Sequence, residues 1–307
     1  MQSQILELSP ALNKSCGAGH PTLCVVVLTY NEEANLSACL ASLVSLQCST
    51  LVVDAGSTDS TRAIAESYGA AVVQHPFETH SAQWYWALSS INCGEWVLGL
   101  DADQRLTVEL QEEIRELFRG HQSLLSRFCG FYVKRRQVFR GRWIKHGGYY
   151  PKYLLKLFRR SSVRLDHNDL VDHHFYVTGP TGRLRFDIIE ENANENNITT
   201  WIEKHNRYAV LLAKEELQRK GQNSDRLIRP ALLGNPDERT LWLKNVWFKM
   251  PRYVRPTIYF VYRYFLRLGF LDGEQGFVFH FLQGFWFRVL VDIKISEFSR
   301  LRQLINC

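Results

Sequence analysis

Four short apolar runs near the start of the chain limit the folds that it can adopt. The runs are Leu23 to Tyr30, Leu51 to Val53, Ala70 to Gln74 and Trp96 to Leu100. They are shorter than most helices, and helical patterns follow the first, second and fourth of them. The chain has 307 residues, 46% of them hydrophobic, which is enough for one large domain, or a domain with an appendage. We therefore expect an α/β fold built on a doubly wound, mostly parallel sheet with right-handed crossovers.

Polar side chains stand at the ends of three of these predicted strands. Tyr30 ends the first run, and Asp54 and Asp101 directly follow the second and the fourth. In open α/β sheets, ligands bind beyond the carboxyl ends of the strands, so these side chains predict one site. The chain contains neither Gly-x-Gly-x-x-Gly after the first strand nor Gly-x-x-x-x-Gly-Lys-Ser/Thr, which argues against a dinucleotide fold and a phosphate-loop ATPase. With these two classes set aside, the polar strand ends predict a nucleotide or nucleotide-sugar site.

The fourth run ends in Asp101-Ala102-Asp103. If the chain turns after Asp101, both carboxylates can face one divalent cation that binds a diphosphate on its other side. The alternative is an aspartate that caps the next helix, with the other in solvent, and it is common for so short a pattern. The polar groups on the neighbouring strand ends favour the metal site.

Three ordered motifs carry a resemblance to a known family. Val26 to Glu33, Val53 to Thr61 and Leu100 to Asp103 resemble the successive motifs of glycosyltransferase family 2, inverting enzymes of the GT-A fold. The similarity covers roughly residues 22 to 176. Members of the family commonly use uridine diphosphate sugars with magnesium or manganese, so the resemblance implies Mg²⁺ or Mn²⁺ as cofactor.

The resemblance also implies roles for residues of this chain. Asp103 would bind the metal through the donor diphosphate, and Asp101 would lie near the ribose and the metal. The segment before the fourth strand departs from many relatives, because it carries aromatic residues where a basic residue is expected, and it leaves Gln83 and His80 as candidates. The donor-binding residues implied are Thr29, Tyr30, Glu32, Asp54, Gly56, Ser57, Gln83 and Asp101.

The acceptor side is predicted from the segment Asp166 to Phe175, which holds three aspartates and three histidines. An inverting transfer needs one carboxylate to remove the proton of the acceptor hydroxyl. By position we assign this role to Asp172, with Asp169 as the second candidate. His173 or His174 could add a further metal ligand, although each alone is more often a hydrogen-bonded structural residue.

Gly141-Arg142-Trp143 and Gly147-Gly148-Tyr149-Tyr150-Pro151 resemble elements of the family members that act on lipopolysaccharide core and other lipid-linked glycans. The loop that contains them suits a sugar platform, and the alternative is an ordinary surface hairpin with aromatic packing.

Basic residues are concentrated in two segments of a chain with net charge +6. Lys134 to Arg164 contains eleven Lys or Arg and no acid, and Leu241 to Leu271 contains six and no acid. In the second segment, wide aromatic faces with narrow basic stripes predict helices that lie in the plane of an anionic membrane. The alternative is that they pack as an aromatic core. No run reaches the roughly 18 uncharged apolar residues expected of a spanning helix.

Together these patterns predict an inverting, metal-dependent, non-processive glycosyltransferase. It would move a sugar from a nucleotide sugar to a lipid-linked or lipopolysaccharide-type glycan at the cytoplasmic membrane face, without binding nucleic acid. The alternatives are a sugar-1-phosphate nucleotidyltransferase, which needs a Gly-rich basic loop after the first strand, and a non-catalytic basic membrane- or RNA-binding protein. The expected parts are an N-terminal tail (1–20), a catalytic domain (21–220) with donor half 21–120 and acceptor half 121–220, a linker (221–240) and an amphipathic helical membrane-associating region (241–307).

Overall fold

The computed structural model describes residues 21–90, 94–166, 174–221 and 227–305. Among these, the chain forms two compact units. The first contains residues up to 135, 153–166 and 174–193, and the second contains 136–152 and the residues from 194 onward. The boundary between the units lies inside the predicted catalytic domain 21–220. The predicted tail 1–20 lies outside the described residues.

A mixed sheet organises the first unit. Its eight-strand path runs β3-β2-β1-β4-β8-β6-β11-β5. The short strand β7 pairs with Val138 and Phe139 at the end of β6, and these residues are grouped with the second unit. The strands are β1 (Leu23–Thr29), β2 (Ser49–Asp54), β3 (Ala71–Gln74), β4 (Trp96–Asp101), β5 (Gln104–Leu106), β6 (Gly130–Phe139), β7 (Arg142–Trp143), β8 (Lys152–Arg159) and β11 (Thr181–Glu190). A separate antiparallel pair contains β9 (Val163–Leu165) and β10 (Phe175–Val177).

Strand pairing changes from parallel to antiparallel after β4. β1, β2, β3 and β4 pair in parallel, as the alternating pattern predicts. Beyond them, β8 runs antiparallel to β4, and β5 runs antiparallel to β11. The α/β class is confirmed, and the parallel part of the sheet contains the four strands that the apolar runs predicted.

Helices cover the parallel strands on both faces. They are α1 (Leu36–Ala41), α2 (Thr61–Ser67), α3 (His80–Ser90), α4 (Val108–Gly120) and α5 (Gln122–Arg127). Val27 and Leu100 pack with Ile114 of α4 in one buried cluster, whereas Val26 and Trp84 belong to a cluster on the other face. Strands buried on both faces read as continuous apolar runs, which is why the sequence identified them.

The second unit is mainly helical. It contains α6 (Ile198–Gly221), α7 (Pro236–Lys249), α8 (Val254–Val261), α9 (Gly273–Phe279) and α10 (Phe287–Ile305), with π-helical turns at Tyr262–Leu266 and His280–Trp286. α7 begins inside the predicted linker 221–240, where Asn235 caps it and Glu238 completes the capping box. By length and composition alone, one helical stretch of the described residues, Gly269–Leu304, could cross a membrane, and 39% of its most apolar window is buried within the protein.

Candidate donor site

The carboxyl ends of three parallel strands meet at one edge of the sheet. Thr29 of β1 is in register with Asp54 of β2, and Leu28 is in register with Asp101 of β4. The three motifs found in the sequence therefore converge, as the strand order of a doubly wound sheet requires. Tyr30 follows directly after β1 and is 59% exposed, so its ring is available to a ligand at this edge.

Asp54 organises the turn that follows β2. Its carboxylate is fully buried and accepts hydrogen bonds from the backbone N–H groups of Gly56 (3.2 Å) and Ser57 (2.9 Å), and from the Ser57 hydroxyl. Thr29 Oγ1 donates to it from β1 at 3.3 Å. Gly56 has φ of 92°, a conformation that favours glycine. In this conformation Asp54 holds the turn at this edge of the sheet, and its predicted role in donor binding stays a prediction.

The loop after β1 is tied to the same turn. The backbone N–H of Asn31 donates to Ser57 Oγ at 2.9 Å, and Asn31 Oδ1 accepts from the backbone N–H of Thr58 at 2.9 Å. The backbone N–H of Glu32 donates to Thr61 Oγ1 at 2.8 Å. These bonds join the first two motifs into one rigid polar rim, on which Tyr30 is presented.

Asp101 ends β4 beside a buried lysine. Its side chain is 31% exposed, and its Oδ2 lies 3.2 Å from Nζ of Lys156, whose side chain is 5% exposed. Lys156 comes from β8, the antiparallel neighbour of β4. The turn after Asp101 is closed by Gln104, whose Oε1 accepts from the Asp101 backbone N–H at 3.2 Å.

Asp103 is held from the end of β11. Its Oδ2 accepts from Asn192 Nδ2 at 3.3 Å, and its backbone carbonyl accepts from the N–H of Glu191 at 3.0 Å. Asn192 in turn accepts from Asn35 Nδ2 at 3.2 Å, and Asn35 also donates to Glu32. A chain of amides therefore connects the first motif with the third.

The helix-cap alternative for the two aspartates is excluded. The N-cap of α4 is Thr107, whose side chain accepts from the Leu110 N–H. Neither Asp101 nor Asp103 caps the helix. Helix capping therefore does not explain why two carboxylates lie at this edge of the sheet. The sequence profile described as Glycosyl transferase family 2 matches residues 24–189, more than half of the chain, and takes in all three motifs.

This chain belongs to glycosyltransferase family 2. The predicted family, the GT-A type of α/β fold and the enzyme class are confirmed by this match and by the sheet described above. The family match ends within β11, so it covers the strands of the mixed sheet and excludes the helices from α6 onward.

Relatives of the chain carry glycosyltransferase names. An uncharacterized glycosyltransferase of Rickettsia typhi is 35% identical over 115 residues, which is 38% of either chain. The match therefore spans well under half the length of that relative. The lipopolysaccharide core biosynthesis glycosyltransferase LpsC of Rhizobium meliloti is 27% identical over 283 residues, covering 85% of this chain and 89% of LpsC.

Two solved structures are also similar. A crystal structure of Staphylococcus aureus TarS, residues 1–349, aligns with 91% of this chain and 91% of its own, at 15% identity and a TM-score of 0.42. Glucosyl-3-phosphoglycerate synthase from Mycobacterium tuberculosis, crystallised with Mn²⁺ and uridine-diphosphate-glucose, aligns with 45% of this chain and 49% of its own, at 24% identity and a TM-score of 0.31.

The family 2 donor edge has the chemistry that a divalent cation requires. Carboxylate oxygens are the ligands that Mg²⁺ and Mn²⁺ prefer, and Asp101 and Asp103 bring two carboxylates to one strand end. Neither aspartate is buried, which leaves room for a diphosphate and water to complete the coordination. Within the described ranges, no group of three His, Cys, Asp or Glu gathers around one point. The donor set therefore fits a cation shared with the nucleotide.

A buried thiol lies behind the two aspartates. Burial raises the pKa of Cys39 above its usual range, and the charges of Asp103 and Asp101 raise it further, whereas Lys156 acts in the opposite direction. The thiol therefore stays protonated and does not compete for a metal ion. A cavity of about 200 Å³, lined by Cys39, Asp103 and Arg105 among others, opens on this side. It is smaller than most ligand pockets, which range from about 300 to 1,000 Å³.

The remaining predicted residues have different outcomes. Gln83 is buried on α3 and pairs with His75, through Oε1 to Nδ1 at 2.7 Å and through Nε2 to the backbone carbonyl at 3.0 Å, so the structure gives it an internal role. His174 precedes β10 and its ring stacks on Tyr176 at 6.3 Å. Asp169, Asp172 and His173 lie outside the described residues, so the base and the additional metal ligand stay predictions.

Sequence reasoning missed Lys156 and Asn192. A signal for Lys156 existed, because a lysine within the apolar run Tyr153 to Phe158 needs a charged partner if that strand is buried. Its partner could not be named, since antiparallel pairing of β8 with β4 depends on contacts far apart in the chain. Asn192 had no such signal, because it belongs to a polar stretch in which any residue could face solvent.

Proposed function

We propose that this chain is an inverting, metal-dependent, non-processive glycosyltransferase that uses a nucleotide-sugar donor. The observation that carries the proposal is the convergence of Thr29, Asp54, Asp101 and Asp103 at the carboxyl edge of the parallel strands. A uridine diphosphate sugar is the donor that the family resemblance favours. The rim formed by Tyr30 and the 55–57 turn would hold the nucleoside, and the diphosphate would extend toward β4.

The proposed transfer is a single displacement. Asp172, or Asp169 in its place, would accept the proton of the acceptor hydroxyl as that oxygen attacks the anomeric carbon from the face opposite the diphosphate. Mg²⁺ or Mn²⁺, held by Asp103 and Asp101, would stabilise the departing diphosphate. Asn192 would keep the Asp103 carboxylate oriented toward the ligand edge. No carboxylate nucleophile is required, since the configuration inverts in one step.

A lipid-linked or lipopolysaccharide-type glycan is the proposed acceptor. The similarity to LpsC, named for lipopolysaccharide core biosynthesis, extends over 85% of this chain and therefore includes at least part of the helical unit. The loop elements around Trp143 and Tyr149 support the same class of acceptor.

The helical unit exposes apolar residues and buries polar ones, which supports contact with a membrane. Arg255 is buried and bonded to Asp292 (Nε to Oδ1, 2.9 Å) and to Glu216 (Nη2 to Oε2, 3.0 Å). Arg263 donates to the Gly147 carbonyl at 2.5 Å and stacks on Tyr149. Both arginines lie in the basic segment 241–271, whose helices were predicted to lie on an anionic membrane. That expectation is wrong for these two side chains, because each satisfies polar groups inside the unit.

The outward side of α8, α9 and the two π-helical turns is instead apolar. Phe265 is 54% exposed and Leu266 is 71% exposed. The ring centroids of Phe260 and Tyr264 lie within 6.4 Å of those of Phe265, Phe277 or Phe281, so these rings form one connected surface. We call this surface the aromatic face; its exposed members are Ile258, Tyr262, Phe265, Leu266, Phe277 and Phe281. A contiguous apolar face of this kind suits shallow insertion into a membrane, and we propose the cytoplasmic leaflet.

Donor binding is tested by thermal unfolding with a panel of nucleotide sugars, each with Mn²⁺ and with chelator. We expect one donor to stabilise the wild type in Mn²⁺, by about 2.7 kcal/mol at one hundred times its Kd. Asp103→Ala should lose this stabilisation, because the metal loses a ligand. Glu116→Ala, on the exposed side of α4, is the matched control and should keep it. Absence of a shift with every donor would count against the proposal.

A further inference from the structure

Lys156 is an unusual residue for its position. It lies in β8 between apolar neighbours, and its side chain is 5% exposed, yet its ammonium comes within 3.2 Å of Asp101 Oδ2. Burying a lysine costs several kcal/mol unless a partner compensates for the lost hydration. A buried cation that reaches the ligand edge from the strand next to β4 therefore requires an explanation.

A purely structural ion pair with Asp101 does not explain why a lysine is buried at this position. Asp101 is 31% exposed, so water could hydrate its carboxylate without help from a lysine. Lys156 also gains little elsewhere, since its other described contact is a cation–π interaction with the Phe175 ring at 5.9 Å. An apolar residue at this position would continue the packing of β8 at lower cost. The ammonium is thus placed where it acts on the ligand edge.

The charges of this edge indicate what the ammonium does. Asp101, Asp103, Glu32 and Lys156 all act electrostatically on the thiol of Cys39, so the four groups share one neighbourhood. Without Lys156, the charges of Asp101 and Asp103 at this edge would repel a donor diphosphate, which is itself an anion. One fixed cation reduces this repulsion before any metal arrives.

We propose that Lys156 is a built-in cation of the donor site, which shares with the divalent metal the neutralisation of the donor diphosphate and sets how strongly nucleotide binding depends on that metal. This inference rests on the proposed function, because it takes a nucleoside diphosphate to be the ligand. Lys156 pairs with Asp101 in the free protein, and in the proposed complex its ammonium would donate to a phosphate oxygen of the donor. It is a binding residue of the site, distinct from the predicted base.

The inference predicts opposite effects of one substitution on nucleotide binding and on Mn²⁺ binding. Lys156→Met removes the charge and keeps a long apolar side chain. Binding of a nucleoside diphosphate without metal should weaken about tenfold or more, because a charge-assisted hydrogen bond is lost. Binding of Mn²⁺ to the nucleotide-free protein should tighten about threefold or more, because a repelling cation is gone from beside Asp101 and Asp103. A residue with only a structural role would weaken both.

The experiment uses the full chain and two readouts that do not need activity. Uridine diphosphate binding is measured by calorimetry in chelator and again in Mn²⁺, with guanosine and thymidine diphosphates as further probes. Mn²⁺ binding without nucleotide is followed by the free-ion signal in electron paramagnetic resonance. The variants are Lys156→Met, Lys156→Arg and Asp101→Asn, and thermal unfolding verifies that each is folded. Lys156→Arg keeps the charge and should stay within about threefold of the wild type in both readouts.

The outcomes separate the inference from the function on which it rests. Weaker metal-free nucleotide binding together with tighter Mn²⁺ binding in Lys156→Met supports the inference. Unchanged metal-free nucleotide binding in that variant, or weaker Mn²⁺ binding, overturns it while leaving the proposed function intact. If no nucleoside diphosphate binds the wild type even with Mn²⁺, the proposed function fails and this inference fails with it.

Discussion

Asp54 links two motifs through a single buried carboxylate. Donors from its own turn and from Thr29 satisfy its oxygens, so one side chain positions both β1 and the 55–57 turn. The sequence placed Asp54 at a ligand edge because an aspartate ends an apolar run. It did not show that the carboxylate would be internal, since the direction of a side chain in a turn depends on the donors around it.

We expect Asp54→Asn to destabilise the protein as well as to weaken donor binding. The amide group of asparagine would turn a donor toward N–H and O–H groups that already donate, which costs about 1–3 kcal/mol for a buried polar group left unsatisfied. The measurement is urea unfolding, with Glu66→Gln on the exposed side of α2 as control. If Asp54→Asn loses donor binding but unfolds at the wild-type urea concentration, Asp54 contacts the donor and does not hold the turn.

Among the helices and strands, those that are most buried were predicted best from the sequence. The parallel strands were identified to within about two residues, because β1, β2 and β4 are buried on both faces and their patterns are continuous. α3 and the short strands β5, β9 and β10 were missed. α3 has aromatic and polar residues on several sides, and three-residue strands are too short to show a period.

The C-terminal helices show why a charge stripe alone does not identify an outer face. Arg255 and Arg263 follow helical spacing, which fits a solvated stripe and an internal ion network equally well. Only the packing of α8 against its neighbours distinguishes the two. Here the network is internal, and the aromatic face is outside. Membrane contact by this unit should therefore depend on apolar insertion more than on headgroup charge.

Membrane binding can be measured by flotation with phosphatidylcholine vesicles, with and without phosphatidylglycerol. We expect the full chain to float with both, and 0.5 M salt to reduce binding only slightly, since screening acts on charges. Phe265→Ser with Leu266→Ser should weaken binding by tenfold or more, because burial of each such side chain contributes about 1.5–3 kcal/mol.

Val44→Ser with Val108→Ser, two exposed valines of the first unit, is the control for loss of apolar surface. A Phe265/Leu266 variant that floats as well as the wild type would disprove insertion by the aromatic face. Binding that disappears in salt would instead support the headgroup contacts that the basic stripe had suggested.

For the molecule as a whole, the sequence was most informative where the family motifs lie at the ends of buried parallel strands. The family 2 match and the parallel strands cover the donor edge, and its four central residues were named in advance. The acceptor side was less predictable, because residues 136–152 group with the C-terminal helices and not with the sheet that precedes them. A grouping of this kind depends on long-range contacts, which no local pattern records.

The most direct test of the proposed function is transfer itself. Purified protein is incubated with membranes and a radiolabelled nucleotide sugar, the lipid-linked glycan fraction is extracted, and the anomeric configuration of the new linkage is determined by nuclear magnetic resonance. We expect labelled product that requires Mg²⁺ or Mn²⁺, has inverted configuration, and falls about a hundredfold in Asp103→Ala, equivalent to the loss of roughly 2.7 kcal/mol of transition-state stabilisation. Product with retained configuration, or product that forms equally well in Asp103→Ala, would contradict it.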